Sequence, residues 1–141
     1  MRQYITGDIK QKYLLRTNRR RTIELHFVHR EPRTGSNISI CIVAGRQAKV
    51  KLQATTTIRS SAVDSHAWLE IIVITSDQAT VQAAPNLEID NNQCQAGHAL
   101  TTKHIGKNEL FYLMSRGLTK DQAWQLIVSE VTAQYHNGVR L

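Results

Sequence analysis

The densest cluster of polar side chains lies between positions 90 and 104. Residues 90–98 read Asp-Asn-Asn-Gln-Cys-Gln-Ala-Gly-His, and His104 follows shortly after. The thiolate of Cys94 and the imidazole of His98 are ligand types that suit iron, zinc or an iron–sulfur cluster. One cysteine with one or two histidines is too few for a closed mononuclear site. The segment therefore predicts an open site shared with another subunit, or simply a buried thiol and a hydrogen-bonded histidine in a loop.

The common catalytic motifs are absent. The chain has no Gly-rich phosphate loop, no Gly-x-Ser-x-Gly, no His-Glu-x-x-His and no Cys-x-x-Cys. We therefore predict that the protein is not an enzyme. Among the remaining candidates, His26 and His29 are expected to be exposed to solvent. His66 is interpreted as a turn residue beside an aromatic ring, and Cys41 as a packing or surface residue.

Positive charge is concentrated at the start of the chain. The formal net charge is +7, and residues 1–35 hold nine basic residues against three acidic ones. The run Arg19-Arg20-Arg21 lies at its centre. Such a run can bind phosphate backbones or anionic lipid, and it is equally typical of a solvated edge or of a docking surface for an acidic partner. No stacking aromatics flank it, so nucleic-acid binding ranks last.

Two further observations concern the environment of the protein. The chain has no apolar run of about 18 residues, the length that a membrane span needs, and its first residues lack the apolar segment of a secretory signal. Only two cysteines are present, too few for a disulfide framework. We therefore expect a cytoplasmic protein with free thiols and no membrane partner.

Residues 22–90 are predicted to form β-strands, because apolar residues alternate with polar ones and Val, Ile and Thr are enriched. Breaks recur about every fifteen residues, as in an all-β repeat. An antiparallel sandwich and a solenoid of stacked rungs both fit. The absence of Asn-Gly and Asp-Gly turns from this region favours the solenoid. The residues expected on one face are Ile23, Leu25, Phe27, Ile38, Ile40, Ile42, Ala48, Val50, Leu52, Ala54, Ala79, Val81, Ala83, Leu87 and Ile89.

The pattern changes to a helical one after His104. A first short helix is indicated by apolar residues at i, i+3 and i+4, with Gly117 as the residue that follows its end. Thr119 and Gln122 have the spacing of a capping box and predict the start of a second helix. The apolar positions are Leu110, Leu113 and Met114 in the first helix, and Ala123, Leu126, Ile127 and Val131 in the second.

These patterns divide the chain into three parts. Residues 1–21 are expected to be a basic N-terminal arm or an edge strand. Residues 22–104 form the predicted β core, and residues 105–141 form a C-terminal helical subdomain.

The stretch from Pro85 to Gly117 resembles the signature of the SufB/SufD family of iron–sulfur cluster assembly. A Pro-x-Leu-Glu-Ile strand begins it, and a polar segment with a conspicuous histidine, His98, follows. It ends with the helix Glu-Leu-Phe-Tyr-Leu-Met-Ser-Arg-Gly at residues 109–117. The resemblance extends over about residues 45–135 and is strongest over residues 85–118.

The resemblance implies a right-handed parallel β-helix with few rungs, followed by a small helical subdomain. It implies a scaffold whose β-helix pairs with a SufB/SufD-like paralogue or with a second copy, and whose C-terminal helices bind a SufC-like ATPase. The cofactor would be a transient iron–sulfur cluster shared with the partner subunit, or none. The family histidine maps onto His98. The residues expected to contact the ATPase are Leu110, Phe111, Tyr112, Met114 and Arg116.

This chain also departs from the family pattern. Ala99 stands where SufB-like members have a functional glutamate, and Cys94 is two positions away from a SufD-like cysteine. The chain is therefore more SufD-like than SufB-like, with His98 and Cys94 as its candidate metal ligands. It is also several times shorter than ordinary members. Two alternatives remain open: an interaction module without cluster chemistry, and a nucleic-acid-binding β-domain that uses Arg19, Arg20 and Arg21.

Overall fold

The computed structural model describes all residues from Met1 to Leu141. Eight strands are followed by two α-helices, a 3₁₀ turn and a ninth, very short strand. The elements are β1 (Arg2–Ile5), β2 (Asp8–Thr17), β3 (Arg20–His29), β4 (Gly35–Ala44), β5 (Lys49–Ile58), β6 (Ser65–Ser76), β7 (Thr80–Ile89), β8 (Cys94–Ile105), α1 (Lys107–Ser115), α2 (Lys120–Thr132), the 3₁₀ turn (Ala133–Tyr135) and β9 (Val139–Arg140).

Consecutive strands alternate between two sheets. The first sheet has the order β1-β3-β5-β7, and the second has the order β8-β6-β4-β2-β9. Every pairing is parallel, and paired residues are 24 to 31 positions apart in the six strand ladders that build successive turns. The chain therefore winds as a parallel β-solenoid of about three turns. This confirms the solenoid prediction and rules out the antiparallel sandwich.

The core lies between the two sheets, where side chains from the same position of successive turns stack on one another. The period-two pattern of the sequence is confirmed here for all its predicted inward residues except Leu87 and Ile89, because the others lie in this cluster or pack against it. Leu87 is half-buried and Ile89 is exposed, since both lie near the end of β7, the last strand of the first sheet. Burying one such Leu or Ile stabilises the fold by roughly 1.5–3 kcal/mol. The fully buried members are Ile5, Tyr13, Leu15, Leu25, Phe27, Ile38, Ile40, Ile42, Leu52, Leu69 and Ile71.

The two helices cover the outer face of the second sheet and form a second apolar cluster with it. Gly117 follows α1 at a φ of 97°, and Thr119 and Gln122 form the predicted capping box of α2. The face of α2 differs in part from the prediction. Leu126 is 52% exposed, whereas Val128 is buried. The helix is rotated so that Val128 packs with the buried residues of the sheet.

The first residues of the chain belong to the solenoid rather than to a separate arm. Strand β1 lies at the edge of the first sheet, while β2 lies between β4 and β9 inside the second. Within β2, Lys12 and Arg16 flank a run of three buried residues, Tyr13, Leu14 and Leu15. Strand β9, at the other end of the chain, pairs with Tyr13 and Leu14 of β2 and covers the middle of this edge of the sheet.

Three turns of the solenoid place a residue other than glycine at a positive φ angle. Arg33, Arg46 and Asp64 all have positive φ angles, between 48° and 56°. Positive φ is uncommon for residues other than glycine, with asparagine and aspartate the usual exceptions. A search for Asn-Gly or Asp-Gly pairs therefore cannot find these turns.

The expectation that His29 is exposed was wrong, since its side chain is fully buried. Its Nδ1 lies 2.8 Å from the Thr34 hydroxyl oxygen and its Nε2 lies 2.9 Å from that of Ser36. Both ring nitrogens are thus satisfied by hydroxyl groups, which suits a neutral imidazole. Burial, and secondarily the neighbouring His66, lowers the pKa of His29 from 6.5 to about 4. His66 itself lies in β6 rather than in a turn, and His26 is half-buried.

We predict that His29 makes the fold less stable in mild acid. Between pH 6.5 and about 4 the unfolded state binds a proton at this residue and the folded state does not. The free energy of unfolding should therefore fall as the pH drops through this range, by up to roughly 3 kcal/mol. His29→Gln keeps polar atoms at the site but cannot titrate. Urea unfolding of both proteins from pH 8 to pH 4 measures the difference, and parallel stability curves would contradict the prediction.

Candidate functional site

The last turn of the solenoid has no strand beyond it. Strands β7 and β8 are the terminal strands of their sheets, so their outer backbone groups lack a sheet partner. Leu100 continues the inward-facing stack that contains Ile71, because these residues are paired. Yet Leu100 is 46% exposed, and Ile89 at the end of β7 is 47% exposed. We call this surface the open end and define it as the free sides of β7 and β8.

The opposite end of the stack is partly covered by the C-terminal residues. The Tyr13 hydroxyl donates a hydrogen bond to Gln3, at 2.9 Å, inside the first turn. Leu141 packs against the main core cluster, and its backbone N–H donates to the Leu14 carbonyl at 3.0 Å. The two ends of the solenoid therefore differ, since β1 and part of β2 keep a free edge at one end and the whole of β8 has a free edge at the other.

The two strands of the open end differ in how well they could accept a further strand. Proline lacks a backbone N–H and is one of the devices that protect sheet edges from pairing. Strand β7 contains Pro85, whereas β8 runs for 12 residues without proline. Strand β8 is thus the edge that is better suited to pairing.

His98 lies on β8, at the open end. It pairs with Leu69, a fully buried core residue, so its side chain belongs to an inward-facing stack. Because no further turn covers it, the imidazole is exposed. His98 is therefore accessible to another molecule while its backbone is held by the sheet.

Cys94 lies at the start of the same strand and is half-buried. Its Sγ lies 3.5 Å from the Asn91 carbonyl oxygen. Four residues along a strand span roughly 13 Å, at about 3.3 Å per residue. Two donor atoms on one metal ion lie within roughly 4 Å of each other, since metal–ligand bonds are about 2 Å long. The structure therefore does not bring Cys94 and His98 together on one ion.

No group of three or more His, Cys, Asp or Glu residues is arranged to hold a metal ion. The ligands within one copy of the chain thus do not form a closed site. The other cysteine, Cys41, is fully buried under the helices, and burial raises the pKa of its thiol to about 12. Cys41 remains a protonated packing residue, in line with one of the two interpretations from the sequence.

Exposed apolar side chains also occur on the helices. Phe111 and Tyr112 are each 60% exposed, and Met114 is 36% exposed. The Arg116 guanidinium lies 5.3 Å from the centre of the Tyr112 ring and donates a hydrogen bond to its hydroxyl at 3.2 Å. The sequence motif groups Leu110 with these residues, but Leu110 is only 7% exposed and belongs to the core. We call Phe111, Tyr112, Met114 and Arg116 the helical patch.

The basic run of the sequence is exposed. Arg19, Arg20 and Arg21 lie at the turn from β2 to β3 and at the start of β3, and none of them forms an ion pair. This places the basic residues on the flank of the solenoid, away from β8. No helix of the structure is both long and apolar enough to cross a membrane.

The hydrogen bonds that hold the His104 side chain were not predicted from the sequence. Its Nε2 lies 2.7 Å from the Asp77 carboxylate and its Nδ1 lies 3.1 Å from the Thr75 hydroxyl. These partners are more than 25 residues away in the sequence, so only the register of β6 with β8 brings them together. His104 is thus occupied within the chain, in contrast to His98.

The fold and the site together define a parallel β-solenoid with a helical cover and an exposed histidine on its last strand. Comparison with known protein families shows where this architecture belongs. Residues 2–131 match the model of the SUF system FeS cluster assembly SufBD core domain. Because the match covers most of the chain, the protein belongs to the SufBD family of iron–sulfur cluster assembly proteins.

Individual relatives support this assignment. The chain is 29% identical over 103 residues to an iron–sulfur cluster assembly SufBD family protein of Mycobacterium tuberculosis. The aligned region covers 72% of the chain and 12% of the relative. A Staphylococcus aureus protein of the same description is 26% identical over 103 residues, covering 72% of the chain and 22% of the relative. The chain thus spans less than a quarter of the length of these relatives.

Proposed function

We propose that this chain is a non-enzymatic cytoplasmic scaffold in iron–sulfur cluster assembly that works by offering two surfaces to other subunits. The observation that carries the proposal is the open end, where an exposed histidine lies on a strand whose outer edge has no partner. Membership of the SufBD family supports a role in iron–sulfur cluster assembly, and the exposed residues of the open end support the choice of the first surface. The helical patch is the second surface.

The open end is proposed to pair with another β-solenoid. A second copy is a suitable partner, because β8 can meet its own counterpart in antiparallel fashion about a two-fold axis, and such an interface is self-complementary. Pairing would bury Leu100 and satisfy the free backbone groups of the edge. A SufB/SufD-like paralogue that presents a similar edge is the other suitable partner.

In this proposal the iron–sulfur cluster is cargo that the assembled subunits build and pass on. One copy of the chain offers His98 but no closed ligand set, so the remaining ligands would come from the partner strand. In an antiparallel β8 pair the two edges run past each other, and His98 lies near the middle of its strand. Cys94 lies at the end of that strand, so we propose it only as a ligand for a metal position other than the one that His98 binds.

The helical patch is proposed to bind a SufC-type ATPase. Its two aromatic side chains are among the most exposed large apolar residues of the chain. Aromatic and arginine side chains are the residue types that most often dominate protein–protein binding energies. Leu110 contributes indirectly, because it packs beneath α1 and holds the helix in place.

We predict that the double variant Phe111→Ala, Tyr112→Ala loses affinity for a SufC-type ATPase by at least tenfold, since hot-spot aromatics contribute about 2 kcal/mol each. Isothermal titration calorimetry with the purified ATPase measures the change. Tyr4→Ala is the matched control, because Tyr4 is 46% exposed but lies on the solenoid. Absence of any complex between the unmodified chain and the ATPase at micromolar concentration would contradict the proposal.

We also predict that His98 is needed to hold the cluster. Anaerobic incubation of the assembled complex with iron and sulfide should produce visible absorbance that His98→Ala reduces or abolishes. His136→Ala is the control, because His136 is also exposed but lies after α2. Equal absorbance in the two variants would remove His98 from the ligand set.

A module without cluster chemistry is the second candidate function. The separation of Cys94 from His98, together with Ala99 in place of the acidic residue of SufB-like members, favours it. This candidate differs from the first in one outcome: ATPase binding would be normal, and no cluster absorbance would form in any variant.

A further inference from the structure

A cavity of about 550 Å³ lies at the corner where the carboxyl ends of β2, β4 and β6 meet the helices. The turns that follow these strands form one wall, and residues from the start of α1 and from α2 form the other. The volume is within the range of sites for small molecules, roughly 300–1,000 Å³. This cavity is separate from the helical patch and from His98, since none of those residues lines it.

The cavity is lined by more positive than negative charge. Arg16, Arg46, Lys107 and Lys120 contribute to its walls, against the carboxylates of Asp77 and Asp121. Asp77 is already paired with His104 at 2.7 Å.

The four cations are not neutralised by the protein. The ion pairs of the structure are Arg59 with Asp90 and His104 with Asp77, so no carboxylate lies within 4.0 Å of these cations. All four side chains are exposed, and the Arg16 guanidinium also donates a hydrogen bond to the Thr132 hydroxyl at 2.6 Å. Cations that line one cavity without carboxylate partners attract anions. Arginine and lysine are the usual partners of phosphate groups.

An aromatic ring lies in the same cavity. Trp124 on α2 is half-buried and lines the wall, and its ring lies beside the Gly45 backbone. A Cβ at position 45 would lie 3.6 Å from Trp124 Cζ2, an ordinary contact distance, which places the ring directly beside this turn. None of the cation–π contacts within the chain involves Trp124. The indole packs in part against the apolar cluster beneath the helices, and it also lines the cavity. A planar ligand in the cavity can contact the ring there.

We propose that this corner cavity binds a small phosphorylated molecule of the nucleoside phosphate class. The cations would hold the phosphate groups, and the Trp124 indole would contact the base. This inference goes beyond the proposed scaffold function and does not depend on ATPase docking or on pairing at the open end. It would give the assembly protein a ligand site of its own, next to the helices that carry the helical patch.

Fluorescence offers a direct test, because the chain has only two tryptophans. Trp68→Phe leaves Trp124 as the single reporter at the cavity. Adenosine triphosphate, added without a divalent cation, should change the Trp124 fluorescence with saturation at submillimolar concentration. Inorganic triphosphate should displace the nucleotide, which would show that the site recognises the phosphate groups. Tighter binding of the nucleotide than of triphosphate would assign a contribution to the base.

Matched variants in this background test the site. Arg46→Asn removes one cation and places at a φ of 48° a residue that tolerates positive φ. Lys107→Gln removes a second cation. Each should weaken binding roughly tenfold, since hydrogen bonds to charged groups contribute about 1.5–3 kcal/mol. Lys51→Gln removes the same charge from an exposed position outside the cavity and should leave the affinity unchanged.

Three results would overturn the proposal. The first is the absence of a saturable signal at millimolar nucleotide. The second is equal weakening by Lys51→Gln and Arg46→Asn, which would indicate attraction to the net charge alone. The third is displacement by adenosine but not by triphosphate, which would exclude the phosphate class. Thermal melting of each variant establishes that it is folded before its affinity is compared.

Discussion

Every long strand of this protein takes its hydrogen-bond partners from strands about one turn away, as when Gly35 pairs with His66 and Lys49 with Thr80. In parallel, in-register stacking of this kind, each turn inside the stack is covered by a neighbouring turn on both sides. At each end of the stack, one inward-facing set of side chains and one row of backbone groups therefore lack partners unless another segment covers them. The way in which each end is closed or left open determines what the protein can do.

The two ends of the stack differ. At the beginning of the stack β9 returns from the far end of the chain to pair with β2, and Leu141 packs onto the core. At the other end nothing covers β8, and His98 and Leu100 occupy positions that would be core in a longer stack. An exposed histidine on a strand with one free edge follows from the same stacking that builds the core.

Much of the fold could be predicted from the sequence, because it depends on local patterns. Alternating apolar residues identified the inward faces, and the spacing of Thr119 and Gln122 identified the start of α2. The pairing of β9 with β2 could not be predicted, because two residues carry no periodic signal. The burial of His29 was missed for a similar reason, since its hydroxyl partner Thr34 follows a turn formed by an arginine at positive φ.

The candidate site was predictable in its residues but not in its geometry. The motif around His98 indicated the family, which the match over residues 2–131 confirms. Sequence proximity suggested that Cys94 and His98 act together, yet residues four apart in an extended strand are well separated. Similarly, Leu110 and Phe111 are neighbours in the motif, but one is buried and the other exposed, because adjacent helical residues point in different directions.

Sedimentation velocity shows most directly whether the open end is a pairing surface. We expect the chain to form a dimer at micromolar concentration, or a complex with a SufB/SufD-like paralogue, and we expect Leu100→Lys to prevent this association. Leu126→Lys, which changes a similarly exposed leucine on α2, should leave it intact. A chain that stays monomeric both alone and with the paralogue, or a Leu100→Lys variant that associates normally, would contradict a pairing role for the open end.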